Sequence, residues 1–145
     1  MSENPYATPT ANLISDTPDS IDGLINELDV SEKWKERFHA INAAGGHKLK
    51  KIKELPKSER KKAFSFNILA FLFGPLYYIA KGMWKRGIFL LVCLVAVIIA
   101  ATFALEHFGY LKFANALGYG AAAVYAMRAN LDYYRKMVLN DNGWV

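Results

Sequence analysis

The chain has 145 residues, with 53% hydrophobic and 21% charged side chains and a formal net charge of +5. The charges are unevenly distributed, since 21 of the 31 charged residues precede position 64 and residues 64–127 carry five. A water-soluble domain of this length rarely gathers its apolar residues into half of the chain, so we expect an integral membrane protein. The single cysteine, Cys93, excludes an intrachain disulfide and a multi-cysteine metal site.

The first 63 residues predict a tail followed by short amphipathic helices in the cytosol. Residues 1–18 contain three of the five prolines and no long apolar run, which is typical of a disordered tail. From residue 19, apolar residues at i, i+3, i+4 and i+7 predict a helix that docks on a cytosolic protein or on the chain's own basic segment. Its apolar residues are Ile21, Leu24, Ile25 and Leu28. Further helices are predicted over residues 31–44 and 47–55.

Basic residues flank the first apolar run on both sides. A basic amphipathic segment beside a membrane entry predicts contact with anionic lipid headgroups, at roughly 1 kcal/mol per basic residue near the surface. Nucleic acid is the competing ligand for such a segment, and the neighbouring apolar runs favour lipid instead. The predicted lipid contacts are Lys48, Lys50, Lys51, Lys53, Lys57, Arg60, Lys61, Lys62, Lys81, Lys85 and Arg86.

The first apolar run, residues 64–80, is interrupted by Gly74 and Pro75. Proline removes a backbone donor and clashes with the preceding turn, so we expect a broken helix here. Because basic residues lie on both sides, the positive-inside tendency favours a re-entrant or interfacial segment, and a third full span is the alternative.

Two spans are predicted after this segment. Residues 88–105 contain no charge over eighteen positions, and a helix of that length is about 27 Å long, close to the thickness of the hydrocarbon core. Residues 108–127 predict the returning span. The membrane domain therefore covers residues 64–128, and residues 129–145 form a cytosolic tail. The resulting fold class is all-α: an integral membrane helical hairpin with a small helical N-terminal region, both termini lying in the cytosol.

Small residues recur every four positions in both predicted spans. In membranes, such stripes let helices approach closely, so we expect them to face each other or a neighbouring subunit. The predicted packing residues are Ala96, Ala100 and Ala104 in the first span and Ala114, Gly118, Ala122 and Ala126 in the second.

Aromatic and amide side chains lie near the ends of the runs. Interfacial anchoring explains the aromatic residues, which are Tyr77, Tyr78, Trp84, Phe108, Tyr110, Tyr133 and Tyr134. Asn67, Asn115 and Asn130 either form hydrogen bonds between helices or line a polar path. The first interpretation is favoured because no ionisable residue lies deep in any span.

Two stretches carry a resemblance to a known family. They are FNILAFLFGPLYYIAKGMWKRG, which starts at Phe66, and RANLDYYRKM, which starts at Arg128. The chain resembles the bacterial membrane proteins of domain-of-unknown-function family 2628. The matching positions are Asn67, Gly74, Pro75, Lys81, Trp84 and Gly87. The resemblance implies a small protein of the cytoplasmic membrane and brings no catalytic residues; we assign Asn67, Gly74, Pro75 and Trp84 to the membrane break and its anchor.

No pattern in the sequence supports catalysis, a cofactor or a metal site, because there is no phosphate-binding glycine loop, nucleophile motif or ligand spacing. We expect a non-enzymatic membrane protein that acts in assembly or protein–protein interaction and associates with lipids and with itself. The alternatives are a subunit of an oligomeric transporter or channel, and a lipid-binding regulatory module.

Overall fold

A computed structural model describes residues 18–144, so the tail expected over residues 1–18 lies, Pro18 apart, outside the described residues. Within them the regular elements are helices, which confirms the all-α class. They are α1 (Pro18–Glu27), α2 (Glu32–Ala43), α3 (Lys57–Ala63), α4 (Ile68–Phe73), α5 (Pro75–Ala80), α6 (Trp84–His107) and α7 (Ala114–Val138), with 3₁₀ turns at Gly46–Lys48 and Leu111–Phe113.

The N-terminal helices form a small core with the second half of α7. Ile25, Phe38, Ile41 and Tyr134 are fully buried there, and Ile21 is 9% exposed. Burial of each of these isoleucine and phenylalanine side chains stabilises the fold by about 1.5–3 kcal/mol. Ile21 and Ile25 of the apolar stripe of α1 are thus covered by α2 and α7 of the same chain, whereas Leu24 and Leu28 are half-buried. Docking of this stripe on a cytosolic protein stays a prediction.

The helix expected over residues 47–55 is absent, and this prediction was wrong. Gly46–Lys48 forms a single 3₁₀ turn, and Leu49, within the expected range, has a φ angle of 50°, which an α-helix does not accept. The backbone N–H of Lys51 instead donates to Ala44 O at 2.8 Å and folds the segment back on the end of α2. The helix forms later, as α3, after Pro56.

The expected break in residues 64–80 is present. α4 ends at Phe73, Gly74 adopts φ 48° and ψ −120°, and Pro75 begins α5 at its first position. Only glycine adopts this backbone conformation readily, and proline is well suited to the first turn of a helix. The pair therefore produces two six-residue helices in place of one span.

The last two helices form a hairpin joined by residues 108–113. α6 has 24 residues and α7 has 25. α7 does not stop at Met127: it continues as one helix to Val138, and its second half packs against α2 and α4. Residues 129–138 are therefore part of this helix, whereas the sequence analysis placed them in a tail.

Candidate functional site

A buried polar junction forms where α4 and α5 pack on α7. The Asn67 side chain accepts a hydrogen bond from Ala70 N at 3.0 Å and so caps α4. Its amide nitrogen donates to Tyr77 Oη and to Asn130 Oδ1, both at 2.9 Å. Asn130 in turn donates to Ser65 O at 2.6 Å. These bonds favour the helix-linking interpretation of both asparagines over a polar path; Asn115 is exposed.

A second set of polar contacts joins α5 and α6 to α7. Tyr78 Oη donates to Asp132 Oδ2 at 2.8 Å, and both side chains are buried. Tyr125 Oη donates to Gly87 O at 3.0 Å. Arg86 Nη1 donates to Asp132 O at 3.2 Å, and its Nη2 lies 2.8 Å from Asp141 Oδ1. Together these contacts hold the start of α6 against α7.

Arg86 is the exception among the predicted lipid contacts. It is 4% exposed and lies between Asp132 and Asp141, so headgroups cannot reach it. The ten other basic residues of that set are exposed or half-buried. Lys62 forms an ion pair with Glu36 at 3.0 Å.

The C-terminal segment folds over the connection between α5 and α6. Arg135 Nε donates to Asp141 Oδ2 at 3.0 Å, and Lys136 Nζ donates to Lys81 O at 2.6 Å. A hydrogen bond from Gly143 N, together with the positive charges of Arg135 and Arg86, holds the pKa of Asp141 below its usual range.

Four of the predicted interfacial aromatic residues are core residues instead. Tyr77, Tyr78, Tyr133 and Tyr134 are at most 8% exposed. Tyr133 packs edge-on against Trp34 at a centroid distance of 4.7 Å. Burial raises the pKa of Tyr134 to about 12. These tyrosines were misassigned because an aromatic residue beside an apolar run has the same sequence pattern at a membrane interface and in a core.

The remaining predicted aromatic anchors are exposed. Trp84 is 45% exposed and packs edge-on against Trp144 at 5.6 Å, while Phe108 and Tyr110 are 70% and 55% exposed in the hairpin loop.

The small-residue stripes differ in exposure. Ala96, Ala100 and Ala104 are exposed, and the half-buried positions of α6 lie on another face that includes Leu94, Ile98 and Leu105. In α7, Ala126 is buried, Ala114 and Ala122 are half-buried, and Gly118 is exposed. The contact of these stripes with a second subunit stays a prediction.

A basic cleft of about 340 Å³ lies between α2 and the α4–α5 pair. Lys33, Arg37 and Lys81 line it with Trp34 and Tyr77. The sequence analysis missed Lys33 and Arg37 because they belong to a helix with alternating charges, which resembles a solvated face. Their four-residue spacing was the available signal, since it places both on one side of α2.

In residues 18–144, no group of three or more His, Cys, Asp and Glu side chains could hold a metal ion.

These observations define a small helical protein with one described helix, Trp84–His107, that is long and apolar enough to cross a membrane. The chain belongs to the DUF2628 family of proteins of unknown function, whose model matches residues 27–138. It is similar to the uncharacterized protein YigF of Salmonella typhimurium, with 29% identity over 128 residues, 83% of this chain and 94% of the relative. The uncharacterized YigF of Escherichia coli K12 is 27% identical over the same shares. No solved structure matches the chain.

Proposed function

We propose that the protein is a non-enzymatic integral protein of the cytoplasmic membrane that assembles through its α6–α7 hairpin. The observation that carries the proposal is the exposure of α6: its most apolar eighteen-residue window has a mean hydropathy of 3.1, and none of it is buried within the chain. Exposure of such a surface to water is unfavourable, and a membrane or a second membrane helix would cover it.

The geometry of the hairpin supports two passes through the membrane. The bond between Tyr125 Oη and Gly87 O marks its base. From Gly87 to His107, α6 rises about 30 Å, which equals the thickness of the hydrocarbon core. The polar side chains Glu106, His107 and Lys112 are exposed at the far end. Basic residues concentrate at the base, and the positive-inside tendency favours a cytosolic position for that end.

The α4–α5 pair suits a position at the membrane surface better than a third span. Each helix has six residues and is about 9 Å long, too short to cross the core. One side packs on α7, whereas Ile68, Leu72 and Leu76 are each at least 65% exposed. An interfacial or re-entrant position would cover these side chains with lipid.

The exposed alanine stripe of α6 is the proposed contact between copies. Close approach of small residues is the main source of helix packing in lipid, where the hydrophobic effect contributes little. Cys93 is exposed and lies seven positions before Ala100, so it shares the face of the stripe. It is a native probe for self-association.

Cross-linking in isolated membranes tests the assembly. Mild oxidation should produce a disulfide-linked dimer of the native chain through Cys93. In the matched control, Cys93→Ala combined with Val95→Cys moves the thiol to another exposed face of α6, and the yield should fall at least fivefold. Equal yields from the two faces would overturn the proposed interface.

Membrane topology is tested separately on a Cys93→Ala background. Single cysteines at Ser58, Ala80 and His107 probe the basic segment, the end of α5 and the hairpin tip. In intact cells, an impermeant thiol reagent should label His107→Cys alone. Labelling of Ala80→Cys would instead mean that residues 64–80 cross the membrane.

A second candidate function is a lipid-binding module. It is favoured by the eight basic residues from Lys48 to Lys62, all of which are exposed. Removal of these charges should weaken binding to anionic vesicles with a strong salt dependence, whereas removal of residues 1–17 should not.

A further inference from the structure

Two cations flank one aromatic ring in the basic cleft, and a third cation lines the same cleft. The guanidinium carbon of Arg37 lies 4.7 Å from the centroid of the Trp34 ring, and Lys81 Nζ lies 5.3 Å from the same centroid. Lys81 Nζ also lies 4.5 Å from the Tyr133 ring. Lys33 is four positions before Arg37 and lines the same cleft. Three cations in so small a volume repel each other unless an anion joins them.

The nearby carboxylates do not neutralise this charge. Glu32 pairs with Lys35 at 3.3 Å, and Glu36 pairs with Lys62. Among the described residues, no Asp or Glu lines the cleft. Partial burial and the neighbouring Lys136 lower the pKa of Lys81, as expected for an ammonium group without a counter-charge.

The opposite wall of the cleft is apolar. Phe66, Ile68 and Leu69 line it and are between 51% and 65% exposed. They belong to the segment that we place at the membrane surface, so the cleft would open where headgroups meet acyl chains. A ligand that fits both walls has a phosphate next to hydrocarbon.

We propose that this cleft binds the headgroup of one anionic glycerophospholipid, whose acyl chains lie along Phe66, Ile68 and Leu69. The inference rests on the proposed membrane position of α4. Arg37 provides a planar fork that suits two phosphate oxygens, and Lys33 and Lys81 add point charges. Trp34 and Tyr77 form the aromatic part of the lining.

The test measures phosphatidylglycerol bound to the detergent-solubilised full chain, by native mass spectrometry during a lipid titration. The triple variant Lys33→Gln, Arg37→Gln and Lys81→Gln should bind roughly 100-fold more weakly, since each basic residue contributes about fivefold. The matched control, Lys35→Gln, Lys112→Gln and Arg128→Gln, loses the same charge at positions outside both the cleft and the predicted lipid contacts and should retain binding. Equal weakening in both variants would overturn the site.

Two further measurements keep the result interpretable. Arg37 also donates a hydrogen bond to Asn130 at 3.4 Å. The double variant Lys33→Gln and Lys81→Gln leaves that bond intact, and its affinity for phosphatidylglycerol should be about 25-fold weaker than that of the native chain. Phosphatidylcholine should bind weakly to the native chain, and glycerol phosphate should not displace phosphatidylglycerol. Displacement at equal concentration would assign the cleft to a soluble anion and overturn the lipid proposal.

Carbonate extraction separates this inference from the proposed function. If the native chain leaves the membrane fraction at high pH, the integral membrane proposal fails, whatever the cleft binds in detergent. If all variants stay in the membrane while lipid binding is unchanged in the cleft variants, the cleft proposal alone fails.

Discussion

Asn67 and Asn130 lie 63 positions apart and share a buried hydrogen bond of 2.9 Å. Each belongs to one of the two stretches that carry the family resemblance, so the structure brings those stretches into contact. Asn67 caps α4, and Asn130 belongs to the part of α7 that also supports the N-terminal helices. The bond thereby connects the apolar segment after residue 64 with the helical core before it.

Loss of either amide should destabilise the junction. Asn67→Ala and Asn130→Ala each leave buried partners unsatisfied, and we expect a loss of about 1–3 kcal/mol in unfolding free energy. The loss of stability in the double variant should be smaller than the sum of the losses in the two single variants, because both changes remove the same hydrogen bond. Thermal melts in detergent measure this. Asn115→Ala, at an exposed amide, is the control and should change little; an equal effect there would argue against the network.

The hydroxyl of Tyr78 should contribute more to the stability of the fold than the hydroxyl of an exposed tyrosine. Tyr78→Phe removes a donor to the buried carboxylate of Asp132 and should cost about 1.5–3 kcal/mol. Tyr119 is 72% exposed, so Tyr119→Phe makes the same chemical change without a buried partner. Chemical denaturation of both variants compares them. Similar midpoints would show that the Asp132 contact contributes no stability.

The close packing of α6 on α5 requires a glycine at position 87. A Cβ at this position would lie 2.7 Å from Tyr78 Cβ, which forces the helices apart. Gly87→Ala should therefore lower the melting temperature by several degrees, even though alanine favours a helix. Gly120→Ala has open space around it and should not lower stability. A neutral Gly87→Ala would mean that α5 and α6 are less closely packed.

Asp141 should make stability depend on acidic pH. The pKa of Asp141 is lower in the folded state than in the unfolded chain. Its contribution to stability is therefore present above the unfolded pKa of about 3.8 and is lost as the pH falls through the folded pKa. Melting temperatures are measured between pH 2.5 and 7. Below pH 4, the melting temperature should fall less steeply with pH for Asp141→Asn than for the native chain. Glu54→Gln, at an exposed carboxylate, serves as the control and should follow the native profile.

Local patterns in the sequence predicted several elements correctly. Gly74-Pro75 predicted the break because both residues constrain the backbone directly, whatever surrounds them. The charge-free run at residues 88–105 predicted the apolar helix that became α6. The helix predicted over residues 47–55 was wrong because Leu49 takes a left-handed φ angle of 50°, which lysine-rich periodicity does not reveal.

Contacts between distant residues could not be predicted in the same way. Arg86 was assigned to lipid because basic residues beside an apolar run usually face headgroups, yet Asp141 and Asp132, some 50 positions later, hold it inside the fold. Tyr133 and Tyr134 were assigned to the interface for the same kind of reason.

Sequence alone therefore determined the apolar helix, the Gly-Pro break and the family, since these depend on local backbone chemistry and on motifs that are continuous in the chain. Tertiary structure alone decided which polar residues are buried together and which basic residues share the cleft with Trp34. Such partners are tens of positions apart, and only the folded chain brings Lys81 and Arg37 to the same ring.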